Sequence, residues 1–189
     1  MKFNEHWEVK GKHAFLSPSQ YYWINYDEEK MANRYYTMQA KERGIELHAL
    51  AESCIRHGVK LARNKNSLNQ FVNDAIGFNM TPEQVLYFSP NCFGTADAIS
   101  FRKDRGKARH ILRIHDLKTG EVPAHIEQLE VYAALFCLEY GFQPKDIDIE
   151  LRIYQFSEPD IFIPEADEIR GIMDVIEAHD RLIDSLRSE

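Results

Sequence analysis

The stretch Ile111-Leu112-Arg113-Ile114-His115-Asp116-Leu117-Lys118-Thr119-Gly120 reads as an apolar strand that runs into charge and stops at a turn. Period-two alternation puts Asp116 and Lys118 on one face and Leu117 on the other. Upstream, the charged segment RKDRGK (102–107) around Gly106 reads as a hairpin turn. Thr95 to Phe101 is then the antiparallel partner strand, and Val85 to Phe88 a strand before it. Downstream, a helical rhythm runs from Ala124 to Tyr140 and ends at Gly141. Asp148 to Phe156 alternates Ile149, Leu151 and Ile153 with Glu150, Arg152 and Tyr154, the pattern of a further strand.

Outside this block the chain reads as helix. Ser17 is placed as an N-cap with Pro18 at the first helical position. The aromatic-rich segment that follows predicts two short helices joined near Asp27. Ile45, Leu47, Leu50, Ala51, Cys54, Ile55, Val59 and Ala62 give a helical period from Arg43 to about Arg63. Ser67 is placed as the cap of a helix to Phe78, and Pro164-Glu165 opens a last amphipathic helix to about Leu186. The order is helices, three antiparallel strands, helix, strand, helix. That order predicts a mixed α/β (α+β) fold with a central sheet flanked by helices. At 189 residues the chain is expected to form one domain.

Composition excludes several classes. The longest apolar run, Val131 to Leu138, is far short of the roughly 20 residues that span a bilayer. The first fifteen residues lack a signal-peptide core, so a cytoplasmic location is expected. Three cysteines (Cys54, Cys92, Cys137) without a CxxC pair cannot supply the four thiolates of an iron–sulfur cluster. The net charge is −7, but residues 145–189 carry 13 acidic and 5 basic side chains, leaving the rest near neutral. Within that rest, Arg102 to Arg113 holds six Lys/Arg and one Asp. Screening beyond about 8 Å lets such a strip meet phosphates on an acidic protein. Arg102, Lys103, Arg105, Lys107, Arg109 and Arg113 are therefore the candidate nucleic-acid contacts, against the plainer view of a solvated hairpin tip.

Four short constellations could carry chemistry. Asp116 and Lys118 pair a carboxylate with an ammonium at a strand end. Asp97, in Gly94-Thr95-Ala96-Asp97, lies near the start of the preceding strand, and antiparallel pairing brings it beside Asp116. Two adjacent carboxylates repel unless a cation lies between them, and hard oxygens suit Mg²⁺ or Mn²⁺. His48 and Glu52 share a helix face one turn apart, as do Gln128 and Tyr132. Taken singly, the first pair is a core histidine with a surface acid, and the second a half-buried polar pair. No HExxH, GxSxG or P-loop pattern is present, so nothing favours an unrelated metal hydrolase.

Gly44…His48, Gly94…Asp97, the strand ending DLKTG, and Gln128…Tyr132, in that order, resemble the RecB-type branch of the PD-(D/E)XK nuclease superfamily. The resemblance covers about residues 16–142, with LSPSQ (16–20) similar to the helix that often opens such domains. It implies a restriction-endonuclease-like core in a single domain. In that domain the helical part spans about 16–80, the catalytic core about 82–156, and the C-terminal helix about 164–187. It implies a divalent-metal-dependent deoxyribonuclease, with an exonuclease the expected kind, acting in recombination, repair or phage DNA metabolism. Asp97, Asp116 and His48 would bind one or two Mg²⁺ or Mn²⁺ ions, with the Leu117 main-chain carbonyl and, in some members only, Glu52. Lys118 would be the catalytic lysine, and Gln128 and Tyr132 the helix-borne pair near DNA. The chain looks like a small, cluster-free member of bacterial or phage origin, with DNA as partner, no membrane, and a single-strand annealing or other recombination protein as a further partner. Oligomerisation stays open. The alternative is a non-catalytic nucleic-acid-binding recombination or packaging factor on the same fold.

Overall fold

The computed structural model describes residues 3–103, 106 and 108–188. Strands β1 (Thr81–Ser89), β2 (Cys92–Arg102) and β3 (Ile111–Leu117) form an antiparallel meander. The helix α3 (Glu127–Tyr140) then carries the chain back, so that β4 (Asp148–Tyr154) runs parallel to β3. A parallel neighbour needs such a crossover, whereas antiparallel neighbours need only a hairpin. A short strand β5 (Asp160–Phe162), which the sequence pattern did not mark, pairs antiparallel with β4. The spatial order is β1-β2-β3-β4-β5, a mixed sheet with β3 at its centre and buried along its whole length. The fold is mixed α/β, as predicted.

Two apolar clusters sandwich the sheet. Leu112 and Ile114 pack with Leu129, Ala133 and Phe136 of α3 and with Ile169 and Met173 of α4 (Ala166–Arg187). Leu117, of opposite parity on β3, packs with Cys54 and Ile55 of α1 (Glu28–His57) and Phe71 and Val72 of α2 (Ser67–Gly77). Among the described residues, no helix is long and apolar enough to cross a membrane.

Several helix ends differ from expectation for local reasons. The segment after Ser17 is a 3-10 helix, Pro18–Asn25, and the Ser17 hydroxyl pairs with Ser19 Oγ at 2.8 Å instead of capping it. The expected junction near Asp27 is where α1 begins, with the Lys30 N–H donating to Asp27 Oδ1 at 2.8 Å. From there α1 is one helix, running through Gly44 to His57. A lone helical glycine costs about 1 kcal/mol and need not break a helix. α1 ends at His57, six residues before Arg63, because the next residue, Gly58, adopts φ +67. α2 is capped one residue earlier than expected, by the Asn66 side chain.

The chain groups into two compact units, residues 1–43 and 44–189. In the first, the Arg34 guanidinium lies 5.1 Å from the Phe15 ring centre. All of the candidate site residues belong to the second.

Candidate metal site at the end of the sheet

β2 and β3 place Ala98 opposite His115, and one step further along the antiparallel pair puts Asp97 beside Asp116. Asp97 Oδ2 accepts the Leu117 main-chain N–H at 2.8 Å, which locks its carboxylate against the end of β3. From α1, His48 brings Nδ1 to 3.5 Å from the same oxygen. His48, Asp97, Asp116 and Lys118, four of the residues singled out from sequence, therefore meet at one end of the sheet.

The electrostatics are those of a site short of positive charge. Asp116 is buried, with Oδ1 3.0 Å from Lys118 Nζ and Oδ2 without a hydrogen-bond partner. Burial, and then the neighbouring Asp97, push its carboxyl above the usual range, while Lys118 pulls the other way. The hydrogen bond with Asp97 raises His48 against the opposing effect of burial, with the charges of Asp97, Asp116 and Glu83 adding to the rise. A buried carboxylate oxygen with no donor is expensive, and a cation is one way to satisfy it.

Lys118 is held from two sides, since its ammonium also donates to Gln128 Oε1 at 2.8 Å. One turn along α3, the Tyr132 hydroxyl donates to the Thr95 carbonyl at 2.7 Å, two residues before Asp97. The glycines of the motifs are contact positions. A Cβ on Gly94 would lie 2.9 Å from Tyr132 Cε1, and one on Gly44 would lie 3.0 Å from Thr119 Oγ1. Gly44 thus seats α1 against the turn after Lys118, and Gly94 seats β2 against α3.

Sequence reasoning missed Glu83. It lies on β1 in the gap between the pairs Pro82↔Ala98 and Gln84↔Ala96, opposite Asp97, with φ +50. Ligand atoms of His48, Glu83 and Asp97 fall within 4.8 Å of one another. Burial, then Asp97 and Glu52, raise the Glu83 carboxyl. Asp116, on the strand at the other side of Asp97, is outside that trio. So is Glu52, whose carboxylate is taken by Arg56 at 2.9 Å. The only sequence signal for Glu83 is an acid at a strand start after Pro82, and strand register was needed to give it meaning.

Among the described residues of the basic strip, three of the four cations are taken up within the fold. Arg113 is buried, pairs with Glu150 at 3.1 Å and lies 4.4 Å from the Phe78 ring centre, which removes it from the nucleic-acid contacts proposed from sequence. Odd positions of β3 point toward the α2 side, and charge count alone could not reveal that. Arg102 donates to the Asn79 carbonyl at 2.9 Å and Arg109 to the Lys145 carbonyl at 2.8 Å, while Lys103 is exposed. Arg105 and Lys107 lie outside the described residues.

No family model matches the chain, and no curated protein matches it. Among solved structures, one described as "Crystal structure of SSO0001" aligns over 84% of this chain and 69% of that one, at 16% identity and a TM-score of 0.35. A likeness of that degree assigns neither family nor function.

Proposed function

We propose that the chain is a divalent-metal-dependent deoxyribonuclease that hydrolyses DNA phosphodiester bonds. The observation that carries this reading is the buried, unpartnered Oδ2 of Asp116, next to Asp97 and sharing its carboxylate with Lys118. Two carboxylates held together in a partly dry site cost stability, so a protein with no use for a cation has no reason to keep them there. The donor set of Asp97, Asp116 and Glu83 with the His48 imidazole suits Mg²⁺ or Mn²⁺, and the Leu117 carbonyl is the further oxygen that the family resemblance adds. A divalent cation bound there supplies a lowered water pKa and charge compensation at the phosphate.

The chain's own groups do the rest. Lys118, steadied between Asp116 and Gln128, presents its ammonium to a phosphoryl oxygen or to the attacking water. Gln128 orients Lys118. Tyr132 anchors the Thr95 carbonyl and so keeps the strand that carries Asp97 in place. Incubation with linear and circular DNA, with and without Mn²⁺, tests the reading. Metal-dependent cleavage that Asp116→Asn abolishes is expected, together with a Mn²⁺-dependent rise in Tm that Asp116→Asn lacks. No cleavage and no metal-dependent Tm shift in the wild type would overturn it.

A further inference from the structure

Glu52 and Asp74 bracket 21 residues that contain no acid. Arg56, Lys60, Arg63 and Lys65 place four positive charges there, and Asn64, Asn66, Asn69 and Asn73 four amides, in a chain of net charge −7. The middle of this segment, residues 58–66, joins α1 to α2, and it is built rather than loose. Gly58 and Val59 close α1 with N–H bonds to Ile55 and Cys54 at 3.2 and 2.9 Å, a Schellman ending. Asn73 clamps both main-chain groups of Leu61, accepting at 2.9 Å and donating at 3.0 Å. Asn69 donates to the Ala62 carbonyl at 3.0 Å, and Asn64 accepts from the Asn66 N–H at 3.0 Å. With the main-chain groups of Leu61, Ala62 and Asn66 bonded to asparagine side chains of the segment, the loop leaves Lys60, Arg63 and Lys65 exposed. Among the described residues, only Lys65 of these three has an ion-pair partner, Glu158 at 3.1 Å, and that pair is exposed and weak.

The loop also lies at the same end of the sheet as the candidate metal site. Lys65 pairs with Glu158, and Gln70 donates to the Ser157 carbonyl at 2.9 Å. Ser157 and Glu158 follow the C-terminal end of β4, where the Tyr154 carbonyl receives the Lys118 N–H at 2.9 Å. From the other direction, Arg56 is eight residues beyond His48 on α1, about 12 Å of helix rise. That is three to four base-pair steps of about 3.4 Å.

We infer that the Lys60–Lys65 loop is the surface that holds the phosphate backbone of nucleic acid beside the scissile bond. The inference rests on the nuclease reading and moves its backbone contact from the Arg102–Arg113 hairpin to this loop. Among the hairpin's described cations, Arg113 is buried and Arg102 and Arg109 donate to main-chain carbonyls. Cations held on a preordered loop lose less freedom on binding than cations on a floppy one.

The test is binding of a labelled 20-base-pair duplex without divalent metal, over a range of salt concentrations. Wild type is compared with Lys60→Ala/Arg63→Ala/Lys65→Ala and with a charge-matched variant of α4, Arg170→Ala/Arg181→Ala/Arg187→Ala. The loop variant should flatten the salt slope by nearly 3, at about 0.9 per lost contact, and weaken binding at least about 10-fold near 0.1 M salt. The α4 variant should keep the wild-type slope. An unchanged slope in the loop variant, or equal flattening in both variants, overturns the inference. If wild type also cleaves DNA with Mn²⁺ in a parallel reaction, the nuclease reading survives that loss. A wild type that neither binds nor cleaves takes both down together.

Discussion

The Tyr132 ring occupies the space that a side chain on Gly94 would need. A Cβ there would lie 2.9 Å from Tyr132 Cε1 and 3.3 Å from its hydroxyl oxygen, while that hydroxyl donates to the Thr95 carbonyl at 2.7 Å. A helix tyrosine and a strand glycine thus approach to a distance that only a missing side chain allows, three residues before Asp97. Gly44 and Thr119 repeat the device between α1 and the end of β3. Both glycines act through close packing, and neither is needed for a left-handed backbone.

Gly94→Ala should therefore destabilise the fold by about 1–3 kcal/mol, the usual cost of overpacking a filled site. Urea denaturation of Gly94→Ala, Tyr132→Ala and the double variant measures the contact. The double variant should be more stable than the summed single losses imply, by at least about 0.5 kcal/mol. Strict additivity would mean that the two residues do not constrain each other.

His48→Ala tests the imidazole as a ligand. Mg²⁺ prefers an all-oxygen shell, whereas imidazole suits transition metals, so wild type should be more active in limiting Mn²⁺ than in limiting Mg²⁺. Removing His48 should raise the Mn²⁺ concentration for half-maximal rate, with activity partly recovered at high metal. A lower Tm with an unshifted metal midpoint would make His48 only a partner of Asp97.

Lys118→Ala should lower turnover by roughly two to three orders of magnitude, as losing one transition-state stabiliser does elsewhere. The metal midpoint should barely move. Gln128→Ala should act in the same direction and more weakly, because Gln128 works through Lys118. Unchanged turnover in Lys118→Ala would leave the lysine as a structural partner of Asp116.

His115 sets a pH dependence of stability. Tyr154 gives its one proton to Asp74 at 2.7 Å, so its oxygen accepts from His115 Nδ1–H at 3.3 Å. Nε2 is left buried without a partner, and a second proton there would have nowhere to bond. Burial, then Arg152 and Arg113, hold this imidazole well below its ordinary value of 6.5. The folded state thus binds fewer protons than the unfolded one. The stabilisation is full above about pH 6.5 and is lost as pH falls below it towards the folded-state value. His115→Phe should flatten the fall of unfolding free energy between pH 6.5 and 5 by up to about 1.4 kcal/mol per pH unit. An identical acid slope in the variant would show that His115 titrates normally.

Much of this architecture is written in local pattern. The alternation of Ile149, Leu151 and Ile153, the turn around Gly106 and the stop at Gly141 each act within a few residues, so β3, β4 and α3 were legible from sequence. Asp97 beside Asp116 was legible too, because a hairpin fixes which strand ends meet. α1 was not, since the local pattern divided Glu28–His57 into short helices and a separate one from Arg43, whereas it is one helix with Gly44 inside it, against Thr119.

The sequence by itself determined the mixed α/β class, the succession of β1 to β4 along the chain, and Asp97 beside Asp116 and Lys118 where β3 ends. Only the tertiary structure decided which charges face solvent and which strand crosses from the far side. It put Glu83 opposite Asp97, buried Arg113 against Glu150 and Phe78, and drew the cations of Lys60 to Lys65 to the end of the sheet that holds the carboxylates. The physical reason is range. Strand and helix preferences are set by neighbours a few residues apart, whereas burial, register across two hairpins and the grouping of charges depend on elements tens of residues away, and no local period encodes those.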